Sequence, residues 1–283
     1  MNILVTGSSG SIGSAIAARL RRHALVTGLD LLPGPETTRT GDIADEGLVR
    51  DMVRDMSAVV HTAALHVPHL STSSEDDFWR VNVDGTRTLL EAAVRAGVSR
   101  FVLTSTTSVY GCSERTGPPA TWADESFPPQ PADAYDRTKL AAEGLCRESA
   151  GRRMSSVILR TSRCFPEPEH LVAFYRLYRG VDRRDVAEAH HRAVVSPVTG
   201  SVTLNVSGPS PFRREDLPAL WDDPWSVIER RVPGVRAAFE RRRWPLPSRI
   251  DRVYPVGNAK RALGYEPRHG IGRLLGIGAR RRG

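Results

Sequence analysis

Lysine is nearly missing from this 283-residue chain: only Lys139 and Lys260 occur among 40 basic residues, and the rest are arginine. Cysteine is scarce as well. Cys112, Cys146 and Cys164 are odd in number, scattered, and form no C-x-x-C pair, which argues against a disulfide framework and for a reducing compartment. A catalytic thiol finds no supporting motif. No apolar run approaches the ~20 residues needed to cross a bilayer. The chain enters directly into Asn2-Ile3-Leu4-Val5-Thr6 with no basic leader, so a cytoplasmic protein without a membrane partner is expected. Aromatic residues are few, at 6%. None interleaves with Arg241-Arg242-Arg243 or Arg280-Arg281-Arg282, so the net charge of +8 reads as solvated helix ends and a frayed terminus, not as a nucleic-acid surface.

A hydrophobic content of 40% and a charged content of 25% suit a globular chain long enough to bury a large core. Strand-like runs at 2–6, 24–29, 58–62, 99–105, 155–160 and 202–206 alternate with helical patterns at 12–22, 45–55, 76–96, 133–149 and 184–195. Such alternation predicts an α/β fold, a Rossmann-type doubly wound parallel sheet with helices on both faces. After Val206 the texture changes to short helices punctuated by prolines from Pro209 to Pro247. Residues 1–206 are expected to form the dinucleotide-binding domain, with 165–181 a short cap insertion. Residues 207–283 are expected to form a small C-terminal substrate-binding cap.

The turn Thr6-Gly7-Ser8-Ser9-Gly10-Ser11-Ile12-Gly13 lies between the first strand and the first helix. Glycines there let backbone N–H groups approach a pyrophosphate, and the helix dipole favours the anion. Gly7, Gly10, Ser11, Ile12 and Gly13 are the candidate contacts. Asp30 ends the second strand, where a carboxylate can accept both ribose hydroxyls and would repel a 2′-phosphate, favouring NAD over NADP. The competing reading is a plain tight turn and a solvated loop acid. Asp42-Ile43 offers an acceptor beside an apolar wall for the adenine, and Thr62-Ala63-Ala64 puts small residues where the cofactor passes close.

Tyr135 and Lys139 stand one helical turn apart in Tyr135-Asp136-Arg137-Thr138-Lys139. A phenol with a pKa near 10 is a poor base at neutral pH. An adjacent ammonium and the positive nicotinamide of an oxidised cofactor are expected to lower it. A chain that uses arginine nearly everywhere keeps a lysine here, where a compact point charge can also reach ribose hydroxyls. The run Thr104-Ser105-Thr106-Thr107-Ser108 supplies hydroxyls to hold a substrate oxygen.

This ordered set resembles the extended short-chain dehydrogenase/reductase family, also called the NAD-dependent epimerase/dehydratase family. The motifs are the TGxxGxxG turn, the Asp42-Ile43 pair, the His61-Thr62-Ala63-Ala64 strand end, Asn82-Val83-Asp84-Gly85-Thr86, the hydroxyl strand and Tyr135-x-x-x-Lys139. Val181 to Ala187 and Asn258 to Pro267 are similar to later family segments, so the resemblance covers nearly the whole chain. It implies NAD as cofactor, Thr106 as the proton-relay hydroxyl with Ser105 as its fallback, and Asn82 beside the cofactor, steadying the active-site helix.

Three departures narrow the reading. The family's 4,6-dehydratases place two acids where this chain has Thr107 and Ser108, so dehydration lacks its carboxylates. Nucleotide-sugar members carry asparagine where this chain has Arg163, which could grip a carboxylate or phosphate or pair with Glu167 or Glu169. Only a short link joins Pro166 to Val181, similar to compact sugar dehydrogenases, which implies a small substrate. His66 and His69 should hang over the nicotinamide as substrate-loop residues; no metal is expected, since further ligands at suitable spacing are missing. His190-His191 reads as a partly exposed helix face. The leading expectation is an NAD-dependent enzyme moving hydride at a secondary alcohol or ketone of a small, polar, sugar-like molecule. The alternatives are a nucleotide-sugar epimerase with tightly held NAD and, from another class, a non-catalytic dinucleotide-sensing regulator. Helices 76–96 and 133–149 could form a homodimer seam, as the family often does.

Overall fold

The six runs read as strands assemble, in this computed structural model, with the two-residue strand Arg39–Thr40 into one seven-stranded sheet in which every pairing is parallel. The structure describes residues 1–111, 117–151 and 153–277; Cys112 and Arg280-Arg281-Arg282 lie outside them. The strands are β1 (Asn2–Thr6), β2 (Leu25–Asp30), β3 (Arg39–Thr40), β4 (Ala58–His61), β5 (Arg100–Thr106), β7 (Ser155–Thr161) and β8 (Ser201–Val206), in the order β3-β2-β1-β4-β5-β7-β8. A separate two-stranded sheet pairs β6 (Thr121–Trp122) with β9 (Arg252–Val253). The order reverses direction between β1 and β4, which opens a crevice at the carboxyl ends of those strands.

Helices cover both faces, so the strands are apolar on both sides and not alternating. On one face Ile3, Val5, Val60, Val102, Val157 and Leu159 pack against α1 (Ser11–Leu20) and α6 (Arg183–Val195). On the other, Leu4, Val59, Phe101, Leu103 and Ile158 meet α2 (Glu46–Val53), α4 (Gly85–Ala96) and α5 (Ala134–Ser149). Aspartates start three of these helices: Asp45, Asp133 and Asp182 each accept a backbone N–H of the first turn.

The stretch 76–96 is not one helix. It is α3 (Glu75–Trp79), a π-helical turn over Arg80–Asp84, and α4. The extra residue per turn lets Asn82 face inward, and it is 2% exposed. The reading of His190 also needs correction. It is buried, with Nδ1 donating to the Val186 carbonyl and Nε2 accepting from Thr104 Oγ1 at 2.8 Å. Helical periodicity put His190 and His191 together; only His191 lies at the margin.

A third cluster joins Ala173, Leu177 and Tyr178 with Phe212, Leu220, Ile228, Phe239 and Ile250. The 165–181 segment thus packs with the C-terminal portion. Ala259, Leu263 and Tyr265 of the later chain return to the sheet core, so the C-terminal portion is divided between cap and sheet. Among the described residues no helix is long and apolar enough to cross a membrane.

Candidate active site

A cavity of about 390 Å³ runs along the carboxyl ends of β1, β2, β4, β5 and β7. Gly7, Gly10, Ser11, Ile12, Gly13, Asp30, Asp42, Ile43, Thr62, Ala63 and Ala64 line one end. Ser105, Thr106, Tyr135, Lys139, His66 and Arg163 line the other. Of the residues expected at the site, Asn82 and His69 do not line it; His69 Nδ1 instead meets the His66 backbone. Asn82 Nδ2 donates to the Leu65 carbonyl and Thr138 Oγ1, and its Oδ1 accepts from Leu65 N at 2.8 Å. Asn82 ties the His66 loop to α5 from behind, a positioning role and not a wall of the cavity.

The first end is shaped by backbone. Gly7 has φ +73°, and a Cβ on Gly13 would stand 2.0 Å from the Gly7 carbonyl oxygen. No side chain caps α1, so its first N–H groups face outward as donors for an anion. Asp30 accepts from Ser9 N and Leu32 N, each at 2.9 Å, which fixes its carboxylate at the lip. Asp42 accepts from Ala44 N and pairs with Arg80 at 3.3 Å. A glycine cradle, an open helix end and a fixed carboxylate fit a dinucleotide.

The second end is shaped by side chains. Tyr135, Lys139 and Glu143 follow one another at four-residue spacing along α5. Burial pushes the Tyr135 phenol well above its ordinary range, the Thr106 hydroxyl opposes this, and the Asp136 and Asp133 carboxylates add to it. The expected lowering by Lys139 is therefore not what the protein's own groups produce: desolvation dominates, and the opposing group is the Thr106 hydroxyl. Burial lowers Lys139 itself to about 8, against support from Cys146 and Glu143. His66 is lowered by burial, then by His69 and Lys139.

Ser105, the fallback hydroxyl, donates to Glu143 Oε1 at 2.6 Å. That carboxylate also receives a bidentate contact from buried Arg160 at 2.8–2.9 Å, so Ser105 is tied into a buried network. The signal in the sequence was Glu143 itself, third in the tyrosine–lysine spacing. Arg163 meets Glu167 at 2.6 Å, and its guanidinium lies 5.2 Å from the Phe165 ring and 4.8 Å from the Tyr175 ring. The carboxylate that Arg163 grips is thus the chain's own. Ser162 and Phe165, which have no role assigned from the sequence, line the cavity together with Thr104 and Cys164. Thr104 shares a strand face with Thr106 by period two, and its proton goes to His190. Burial raises the thiols of Cys164 to about 11 and Cys146 to about 12, which disfavours a thiolate nucleophile. No residue of the described part of 207–283 lines this cavity. Among the described residues no group of three His, Cys, Asp or Glu side chains is placed to hold a metal.

Residues 3–171 match the family described as the NAD dependent epimerase/dehydratase family. UDP-glucose 4-epimerase from Streptomyces lividans is 34% identical over 167 residues, 54% of this chain and 49% of that protein. The chain spans about half the length of the curated relatives it matches. A short-chain dehydrogenase/reductase superfamily protein from Agrobacterium tumefaciens, solved with bound NAD, superposes with TM-score 0.74 and 25% identity, covering 98% of this chain and 95% of that one. MoeE5 in complex with UDP-glucuronic acid and NAD gives TM-score 0.71 and 27% identity, covering 98% and 97%.

Proposed function

Because this chain belongs to the NAD dependent epimerase/dehydratase family, we propose that it binds NAD and oxidises a secondary alcohol, or reduces the ketone, of a compact, polar, sugar-like substrate. The observation that carries this reading is that Thr106, Tyr135 and Lys139 line the same cavity as the Gly7–Gly13 turn and Asp30. The helix N-terminus and the glycine cradle would hold the pyrophosphate, Asp30 the adenosine ribose, and Ile43 the adenine face. Oxidised NAD, when bound, supplies the hydride acceptor. Tyr135 takes the carbinol proton, Thr106 orients the reacting oxygen, and Lys139 holds the nicotinamide-side ribose and lends its charge to the phenol. His66 and Phe165, stacked at 5.8 Å between ring centroids, would wall the substrate from water.

A compact substrate is supported by the short 165–181 segment, which gives Phe165 and Pro166 to the cavity and packs Ala173, Leu177 and Tyr178 into the cap cluster, and by a cavity wall that takes no residue from 207–277. Nucleotide-sugar epimerisation is the second reading, supported by the fold shared with the UDP-glucuronic acid complex. A panel of sugars, sugar acids and nucleotide sugars incubated with NAD, following NADH, tests the proposal with Tyr135→Phe as the matched variant. NADH formation that Tyr135→Phe abolishes is expected. NAD binding with no turnover across the panel would sink the enzymatic reading in favour of a dinucleotide sensor.

A further inference from the structure

Behind Tyr135 the hydroxyls do not end at Thr106. Thr106 Oγ1 lies 2.9 Å from Ser108 Oγ and accepts from Ser108 N at 3.1 Å. Ser108 Oγ lies 2.5 Å from Asp136 Oδ1. Asp136 is 3% exposed, and its other oxygen accepts from Ala132 N at 3.1 Å. Counting donors fixes the direction of every bond. A carboxylate only accepts, so the single proton of Ser108 is given to Asp136. The contact between Thr106 and Ser108 must then use the proton of Thr106. Its lone pairs remain to accept from Ser108 N and to face Tyr135, with which Thr106 shares the cavity wall. The protons of Thr106 and Ser108 thus point the same way, away from the cavity and towards Asp136.

We propose that Tyr135, Thr106, Ser108 and Asp136 form a proton-exit relay that ends on the Asp136 carboxylate and fits the enzyme for net oxidation. This rests on the hydride-transfer reading above and deepens it. As the carbinol C–H bond breaks, its hydrogen and electron pair pass to the oxidised nicotinamide and the C=O bond forms. The carbinol proton goes to the Tyr135 oxygen, whose own proton moves to Thr106. The proton of Thr106 moves to Ser108, and that of Ser108 to Asp136. The products are a ketone, NADH and a protonated Asp136, which loses its proton to water at the exposed Ala132 edge of α5.

Two features of the site acquire a reason. A phenol held above its ordinary range cannot wait as a phenolate; with Asp136 as the final acceptor it does not need to. An epimerase returns the proton to the oxygen it came from and has no use for an exit, whereas a net dehydrogenase exports one proton per turnover. Ser108 and Asp136 touch neither substrate nor cofactor in this scheme and act through Thr106. Burial raises Asp136, the donors Ser108 and Ala132 N oppose this, Asp133 adds to it and Arg137 counters.

The test compares wild type with Asp136→Asn and Ser108→Ala, the latter removing one hydroxyl and leaving the helix start intact. In wild type the oxidation rate should fall as pH drops through the Asp136 pKa, because the acceptor must be ionised. Its rate in mixtures of light and heavy water should show a curved dependence, the mark of several protons in flight. Asp136→Asn should lose the acidic limb and at least ~10-fold in kcat with KM within about twofold. Ser108→Ala should give a linear isotope dependence and, in carboxyl NMR titrations without substrate, a raised Asp136 pKa. If Ser108→Ala keeps the curved dependence and the wild-type rate, the relay is overturned, whatever the folding of Asp136→Asn. The carboxyl titration stands apart from turnover: an unmoved Asp136 pKa removes the relay alone, whereas a wild type that makes no NADH removes the hydride-transfer reading.

Discussion

The two ends of the cavity are made from different material. At the cofactor end the shape comes from main chain: a glycine turn with φ +73° at Gly7, a helix start without a side-chain cap, and a carboxylate held by two backbone N–H groups. At the substrate end it comes from side chains already engaged with one another. Ser105 is bound to Glu143, Arg163 to Glu167, Thr104 to His190, and Ser108 to Asp136. Backbone sites are written in local sequence because only glycine permits them. Side-chain sites depend on what the fold brings near, and the same residue type can serve a ligand or a neighbour.

The comparison breaks most sharply at Gly13. Gly13→Ala should cost about 3 kcal/mol in stability and weaken NAD binding at least ~100-fold, read by urea unfolding and by cofactor titration. A variant that binds NAD normally would show that the cradle is not shaped by backbone. Next comes Lys139→Arg, which keeps the charge but puts a planar guanidinium into a buried slot. We expect kcat to fall about 100-fold. Near-normal turnover would mean that position 139 needs only a cation.

Asp30→Ala should weaken NAD about tenfold and leave NADP unchanged or tighter, since the repelled 2′-phosphate loses its opponent. Equal losses for both cofactors would make Asp30 a mere support for the Ser9 turn. The buried histidines behind the two ends give a pH signature. Burial, with the Lys139 ammonium second, holds His61 at about 3, and burial holds His190 at about 4. Their folded pKa values lie below the ordinary 6.5, so the unfolded chain binds more protons between about 6.5 and those values. Stability should therefore fall with pH through that window by about 1.4 kcal/mol per unit for each histidine. Urea midpoints that stay level from about pH 7 to pH 5 would contradict this. The smallest effect is expected for Arg163→Ala: about 1 kcal/mol of stability from the Glu167 pair and the Phe165 and Tyr175 rings, with KM changed less than threefold. A tenfold rise in KM at unchanged stability would instead return Arg163 to an anionic substrate.

The doubly wound sheet was legible because strands buried on both faces read as continuous apolar runs between helical patterns. The glycine turn, Asp30 and the tyrosine–lysine pair were legible because each needs a particular residue at a particular spacing. The two-residue β3, β6 and β9 were not, since so few residues carry no periodicity. The π-turn at Arg80–Asp84 was hidden inside a pattern that fits an unbroken helix. Tertiary burial overrode the local reading of His190 and tied up Ser105, and desolvation, which spacing does not reveal, is the largest influence of the protein's own groups on Tyr135. Asp136, between the two residues of the motif, carries no signal in the sequence, because its partner Ser108 is brought against it only by the fold.

The central claim is net hydride transfer, and the stoichiometry of NADH to substrate consumed tests it most directly. With the substrate found in the panel, wild-type enzyme and excess NAD should give about one NADH for each molecule oxidised. Conversion of substrate to an isomer with no accumulation of NADH would contradict the account and make the protein an epimerase.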